Sequence, residues 1–416
     1  MSEVAQVPQL RFPEFSGNWE EVPFYDCLND ILDFRGRTPL KIGMDWGGGN
    51  IISLSANNVK NGYIDFNAEC HLGSGELYEK WMGKVKLVKN DIVFTMEAPL
   101  GKALLVPDDK RYILSQRVVA FKTKDYIDNL YFIQLIWSNK FQNTVDRLST
   151  GSTAKGINQK SLKKVFVNIP LKPEQQKIAA FLTAVDTKIE QLSKKKALLG
   201  EYKKGLMQQI FSQAIRFKAD DGSDFPDWEE KKLGDVCKLQ GGYAFKSAEF
   251  QKHGIPIIRI SNISNNNDFI DNRNLVYYNE IKNSDKFIIK NGDLIVAMSG
   301  ATTGKSSIYN LIEDAYLNQR VGLFKANNSL LDYGFLIQIV FSYIFATQLD
   351  SVLVAGAQPN VSSKDIEGFE ISLPSKIEQN KIANFLSSID SKIEQVGKQL
   401  DESNQFKKAL LQQMFV

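Results

Sequence analysis

The sequence predicts an α+β protein of two repeated α/β domains joined by two long helices packed as an antiparallel coiled coil. Three observations predict it. A segment recurs at a fixed offset, short β-branched runs alternate with turn residues, and two tails repeat their apolar residues at heptad spacing.

The duplication is plainest in the tails. Glu174–Gln191 reads EQQKIAAFLTAVDTKIEQ and Glu378–Gln395 reads EQNKIANFLSSIDSKIEQ, with twelve of eighteen positions identical at an offset of 204. The offset holds forward, where Leu206, Gln208, Gln209 and Phe211 match Leu410, Gln412, Gln413 and Phe415. It also holds backward, where Ile169–Pro170 faces Leu373–Pro374. Fainter echoes continue upstream. Leu114–Val118 resembles Leu317–Val321, Lys89–Val93 resembles Lys290–Ile295 with one insertion, and Trp19–Glu21 answers Trp228–Glu230. Each half therefore reads as a variable domain followed by a closely repeated tail. The domains are expected at residues 1–170 and 214–373, and the helices at 171–213 and 374–416.

Within the domains, Val85–Val88, Asp91–Thr95, Val118–Phe121, Ile255–Ile260 and Asp293–Ala297 are short, β-branched and bounded by Gly, Asn or Asp, which predicts strands joined by turns. Helices are expected at Ile127–Leu148 and Tyr333–Leu353. In the tails, Ile178, Leu182, Val185, Ile189 and Leu192 step 4, 3, 4, 3, and Ile382, Leu386, Ile389, Ile393 and Val396 do the same. That spacing is a coiled-coil seam. Ser375 with Glu378 predicts a capping box, while Pro173 sits where a first-turn proline is tolerated. Each helix then runs about 40 residues, roughly 60 Å. Gly200, Gly205 and Gly397 each cost such a helix about 1 kcal/mol relative to alanine, so close helix approach, a kink or a local end is expected there. A lone helix cannot hide its seam, so the two tails are expected to pack on each other, antiparallel.

Composition bounds the function classes. Hydrophobic residues make up 43% and charged residues 24%, the balance of a globular protein. No apolar run reaches the roughly 20 residues that cross a bilayer, and Met1–Gln9 lacks a charged-then-apolar signal pattern, so a cytoplasmic location without membrane partners is expected. Cys27, Cys70 and Cys237 are scattered and odd in number, which excludes a disulfide framework. Cys70–His71 has no second pair at zinc-ligand spacing, so no metal site is expected. The net charge of +3 is uninformative, but residues 80–124 carry ten Lys/Arg against four acids, and Lys155, Lys160, Lys163 and Lys164 follow in an acid-free stretch. Such runs suit either a solvated face or a polyanion.

No catalytic motif is complete in the sequence. Gly300–Ser306 resembles a phosphate loop but has three residues between its glycines where four are needed. Gly47–Gly49 lacks the strand–loop–helix setting of a methyl-donor site, and no Asn-Pro or Asp-Pro-Pro occurs. Asp186–Lys188 and Glu201–Lys203 have a nuclease-like acid-x-Lys form but fall on the predicted helices. His71 and His253 are far apart, so no Ser-His-Asp arrangement is supported. No enzyme and no cofactor of its own are expected.

Two variable domains, each followed by a repeated helix opened by Pro170–Ile178 (PLKPEQQKI) and again by Pro374–Ile382, resemble the specificity subunit of Type I restriction–modification systems. The resemblance covers essentially the whole chain. The second copy departs from it by lacking the extra proline. It implies that each variable domain is a target-recognition domain reading one half of a bipartite double-stranded DNA target. It further implies that the helices space the halves and dock two modification (methyltransferase) subunits. Those would carry S-adenosylmethionine and methylate adenine, while restriction (translocase-nuclease) subunits cleave.

Base edges are read by Arg, Lys, Asn and Gln, with lysines and amides on phosphates. The candidates are Arg35, Arg37, Asn57, Asn58, Lys60, Lys102 and Lys155 in the first half. In the second they are Lys246, Arg259, Asn262, Asn265, Asn266, Thr302, Lys305, Gln358 and Asn360. Lys102 and Lys305 follow a turn glycine at matched places and are expected on phosphates, whereas Arg117 and Arg320 are expected to anchor turns. The rival reading, a coiled-coil adaptor that binds only proteins, explains the helices but not two different basic, Asn-rich domains.

Overall fold

The computed structural model describes residues 7–152, 154–263, 268–281, 285–355 and 360–416. The chain divides into two units, Met1–Lys194 with Gly397–Val416, and Lys195–Val396, so each unit holds the start of one long helix and the end of the other.

In chain order the first unit carries β1 (Glu20–Pro23), β2 (Leu28–Asp33), β3 (Ile51–Leu54), β4 (Leu72–Gly73), α1 (Gly75–Met82), β5 (Ile92–Thr95), β6 (Ala103–Leu105), β7 (Tyr112–Leu114) and β8 (Val118–Thr123). Then come α2 (Asn129–Trp137), α3 (Asn139–Leu148), α4 (Gln159–Leu162), β9 (Phe166–Ile169) and α5 (Lys172–Phe211). Strands β2, β8, β5 and β6 form an antiparallel sheet in that order. A second sheet runs β4-β3-β7, with β3 and β7 parallel, and β1 closes on β9. Strand β5 is buried along its whole length because a core covers each face, and its side chains alternate between them. Ile92 and Phe94 pack with Phe24, Phe121 and Phe132, while Val93 packs with Leu104, Ala120 and Trp81.

The second unit repeats the plan with β10 (Glu229–Lys232), α6 (Leu233–Val236), β11 (Cys237–Gly241), β12 (Ile255–Ile258), β13 (Val276–Tyr278), β14 (Ile288–Ile289), β15 (Leu294–Ala297), β16 (Ser306–Ile308), β17 (Ala315–Leu317) and β18 (Val321–Ala326). It closes with α7 (Tyr333–Val340), α8 (Tyr343–Ala355), α9 (Ser363–Glu367), β19 (Glu370–Leu373) and α10 (Lys376–Gln413). The sheets run β11-β18-β15-β16 and β13-β12-β17-β14, with β12 parallel to β17, and β10 closes on β19. The same alternation sends Leu294 and Val296 into one core and Ile295 and Ala297 into the other.

Four expectations are corrected. Val85–Val88 is not a strand, because Val88 N–H donates to the Asp91 carboxylate at 2.7 Å and the segment turns. The helix expected at Ile127–Leu148 breaks at Ser138, whose backbone is extended and whose hydroxyl accepts from Phe141 N–H at 3.3 Å. Ser342 starts α8 in the same way by accepting from Phe345 N–H at 3.4 Å, so Tyr333–Leu353 is also two helices. A serine that offers the backbone a local acceptor favours a cap over helix interior. Last, the capping box at α10 is only half made. Ser375 Oγ accepts from Glu378 N–H at 3.4 Å, but the Glu378 carboxylate is taken by Arg216 at 3.0 and 3.3 Å.

The long helices run 40 and 38 residues, unbroken through Gly200 and Gly205, which face open space instead of a close neighbour. All ten seam residues are buried or half-buried. In the first unit Ile178 and Leu182 pack with Leu410, Met414 and Phe415, so the start of α5 lies on the end of α10. In the second, Ile382 and Leu386 pack with Met207, Ile210 and Phe211, the converse pairing. Both are antiparallel. Ion pairs fix the register. Lys407 pairs with Asp186, which also accepts from Gln134, and Lys203 pairs with Asp390 at 2.6 Å, which also accepts from Gln338. The acid-x-Lys residues Asp186 and Lys203 are therefore structural.

The repeated Glu-Gln likewise holds each helix to its own domain. Buried Glu174 takes Arg11 at 2.7 and 2.8 Å, as Glu378 takes Arg216. Gln175 accepts from Asp128 N–H and donates to the Tyr126 and Pro170 carbonyls, and Gln379 does the same with Asp332, Leu330 and Pro374. No single described helix is long and apolar enough to cross a membrane. The bent pair α7–α8 passes only when joined, and Phe335, Leu336 and Phe345 in it are buried core.

Candidate nucleic-acid interface

The central strand of each unit ends at a rim that gathers basic residues from separate segments. In the first unit the chain leaves β5 at Thr95 and returns at Lys102. Thr95 N–H donates to the Lys102 carbonyl at 2.8 Å, and Gly101 N–H donates to the Thr95 carbonyl at 3.0 Å. Gly101 makes the turn at φ +85, where a side chain is disfavoured. Met96 N–H donates to the Arg117 carbonyl at 2.8 Å, and Ala98 N–H donates to the Lys155 carbonyl at 3.2 Å. Lys102, Arg117 and Lys155 are thus pinned by their own backbones around one strand end.

The second unit builds the same rim. Ala297 N–H donates to the Lys305 carbonyl at 2.9 Å, Gly304 N–H donates to Ala297 at 2.7 Å, and Met298 N–H donates to Arg320 at 2.9 Å. Gly304 again has positive φ, at +78. Val361 N–H donates to Met298 at 3.0 Å, as Ile157 does to Met96 at 2.8 Å, which brings Asn360 to the place of Gly156 beside Lys155. The loop at Gly300–Ser306 that resembled a phosphate loop is therefore a hairpin between β15 and β16, with no helix after it.

Most of the rim side chains reach solvent. Lys305, Arg320 and Asn360 are exposed and Lys102 is half-buried. Arg117 sits 3.8 Å from Glu97 with both about half exposed, and Lys155 sits 2.6 Å from Asp146 in similar exposure. Such solvated pairs hold by about 0–1 kcal/mol and yield readily to a stronger anion.

The other predicted residues divide. Asn58 and Asn262 are corrected. Both are buried, and their amides are spent on the backbone. Asn58 accepts from Ser55 N–H and donates to Ser53, and Asn262 accepts from Arg259 N–H and donates to Asp271. They build matched turns and offer nothing to a ligand. Arg35 is gripped by Asp33 at 2.5 and 2.8 Å, which raises its pKa above the ordinary value and keeps the group within its own turn. Lys60 donates to the Asn57 carbonyl at 2.7 Å, with the Asn57 side chain exposed. Thr302 donates to the Ile260 carbonyl at 2.9 Å, and Lys246 pairs with Glu249 at 3.3 Å in solvent. Arg259 lies over Phe250 and donates to the Asn274 carbonyl at 3.2 Å. Asn265, Asn266 and Gln358 lie outside the described residues.

Arg37 lines a recess in the first unit with Asp45, Trp46, His71 and Gln116. Trp46 stacks on His71 at 4.8 Å between ring centres, so His71 supplies a stacking face. The walls of this recess come from loops far apart in the chain and leave no local sequence signal. The sequence predicts Arg117 and Arg320 as turn anchors. Their carbonyls do anchor, but both side chains remain exposed.

Comparison with known proteins agrees with this doubled architecture. A family model described as a Type I restriction modification DNA specificity domain matches residues 18–200 and again residues 226–402. The chain is 28% identical over 419 residues to the Type I restriction enzyme MjaVIII specificity subunit of Methanocaldococcus jannaschii, covering 97% of this chain and 92% of that one. It is 27% identical over 179 residues to the Escherichia coli EcoAI specificity subunit, covering 41% of this chain and 29% of that one. In structure it is similar to the S subunit of a Type I system from M. genitalium, with a TM-score of 0.62, 17% identity and 99% of both chains covered.

Proposed function

The chain belongs to the Type I restriction–modification DNA specificity family, and we propose that its two units each read one half of a bipartite target in double-stranded DNA. Its function is sequence-specific DNA recognition, and it is the non-catalytic subunit of its complex. The observation that carries the two-reader proposal is the repeated rim. The same strand end, turn glycine and basic pair occur in two otherwise divergent units, as two readers on one duplex require.

In this reading Lys102 and Lys305 contact phosphates, with Lys155 and Asn360 beside them. Arg37, Asn57, Lys60, Lys246, Arg259 and Thr302 belong to the loops that meet base edges or neighbouring phosphates. The proposal keeps Asn265, Asn266 and Gln358 for the sequence reasons given. The two long helices space the half-sites and dock two modification subunits. Those carry S-adenosylmethionine and methylate adenine, and restriction subunits add cleavage. We place the assembly in the cytoplasm, where its DNA is. The adaptor alternative is not favoured by the two relatives named above, both of them specificity subunits.

Selection of duplexes from a random library by the full chain tests the two-reader proposal. The expected product is one two-part motif with a fixed gap, bound more weakly as salt rises. A single contiguous motif, or binding without sequence preference, would refute it.

A further inference from the structure

We infer that Arg117 and Arg320 are phosphodiester contacts. Each forms, with the adjacent lysine, a two-point clamp on the DNA backbone that both units share. The inference rests on the DNA-reading proposal above.

The placement is the first argument. Consecutive residues of the central strand end, Thr95 and Met96, hold the carbonyls of Lys102 and Arg117 on opposite sides. Ala297 and Met298 hold those of Lys305 and Arg320 in the same way. Flanking strands lie about 4.8 Å to either side of the central one, so the two Cα atoms stand about 10 Å apart. Two long cationic side chains rooted that far apart can reach different phosphates of one strand.

Charge availability is the second argument. Arg11, Arg35, Arg216 and Arg273 are each closed by a carboxylate at 3.0 Å or less. Among the described residues Arg117 has only the 3.8 Å contact to Glu97, and the residue after Met298, where Glu97 follows Met96, is Ser299. Among the described residues the Arg320 guanidinium has no hydrogen bond or ion pair. Arg117 is also held at φ +66, a left-handed backbone that residues bearing a β-carbon rarely adopt, and the Met96 N–H bond keeps it there.

Repetition separates phosphate from base. Two readers whose half-sites differ would share only the sugar–phosphate backbone. Side chains repeated at matched places therefore suit the sequence-independent part, and the unmatched ones, such as Arg37 with Trp46 and His71, suit base edges. The arginines repeat within a matched turn, Leu114–Val118 and Leu317–Val321.

The test is the salt dependence of binding by the full chain to a duplex carrying the selected target and to one lacking it. Variants are Arg117→Ala, Arg117→Lys, Arg320→Ala and Arg320→Lys. Each alanine variant should weaken binding to both duplexes by the same factor and reduce the log–log salt slope by about 0.9. Each lysine variant should recover most of both, since a phosphate accepts a point charge. Glu97→Gln should strengthen binding and has no counterpart in the second unit. A loss of preference at one base pair that lysine does not restore would overturn the inference in favour of base reading. An unchanged slope in a folded alanine variant would overturn it too. If the unaltered chain shows no salt-dependent binding, it is the DNA-reading proposal that fails.

Discussion

Replacing Lys203 by Met should show how much of the helix register is electrostatic. Lys203 of α5 meets Asp390 of α10 at 2.6 Å, and Gln338 donates to the other Asp390 oxygen at 3.2 Å. The lysine side chain is 12% exposed and the aspartate 34%. Methionine keeps the buried stem and its packing, so the loss is confined to the charge. A fully exposed pair would cost about 0–1 kcal/mol and a fully buried orphan about 3–5. With one partner covered and the other a third exposed, and with Gln338 still bound, about 1.5 kcal/mol is expected. For a unit of this size that lowers Tm by roughly 3–6 °C. Asp390→Leu in the same background should recover part of the loss, because it removes the carboxylate that Lys203 paired directly, while Asp268 nearby still lacks that charge. Thermal and urea melts of the four proteins in the cycle measure it. If the two effects simply add, within about 0.4 kcal/mol, the pair holds no register and the reasoning is wrong.

Three further outcomes follow from the same geometry. Gln175→Ala and Gln379→Ala each strand one backbone N–H and two carbonyls at a buried helix start, so each should cost about 3 kcal/mol, measured by urea melts. Burial pushes the Cys27 thiol up to about 11 and the Cys237 thiol up to about 12, so iodoacetamide at pH 8 should label only Cys70 in the folded chain and all three when unfolded, counted by mass spectrometry. Because these two thiols stay neutral when folded, the stability they add is present below the ordinary thiol range and is lost as pH climbs toward 11–12. Seven residues inserted after both Leu192 and Val396 fall near the division between units and keep heptad phase, adding about 10 Å of helix. The preferred gap should lengthen by about three base pairs at reduced affinity, because the half-sites also rotate. A selected gap that stays constant in a folded, active variant would leave the helices as a docking surface only.

The sequence revealed most where residues repeat. The heptad seam was legible because burial along a helix leaves a period, and all ten seam residues are at least half-buried. The Lys102 and Lys305 turns were legible because positive φ leaves a glycine. Other features left no such mark. The buried amides of Asn58 and Asn262 look like any loop asparagine, since hydrogen bonding to nearby backbone carries no sequence period. The break at Ser138 hinges on one hydroxyl inside an apolar helical pattern. Arg11 and Arg216 precede Phe12 and Phe217 in both copies, a repeat visible in the sequence, but their partners Glu174 and Glu378 lie more than 160 residues away. The aromatic recess of the first unit joins residues from 37 to 116 and has no local signature.

The central claim is that each unit reads one half of the target independently. The most direct measurement replaces about residues 1–165 with the matching domain of a relative that has a different target, pairs the chimera with modification subunits, and maps methylated adenines by single-molecule sequencing. The account predicts that one half of the target changes to the donor's sequence while the other half and the gap stay as they were. Changes in both halves, or in neither while methylation persists, would contradict it.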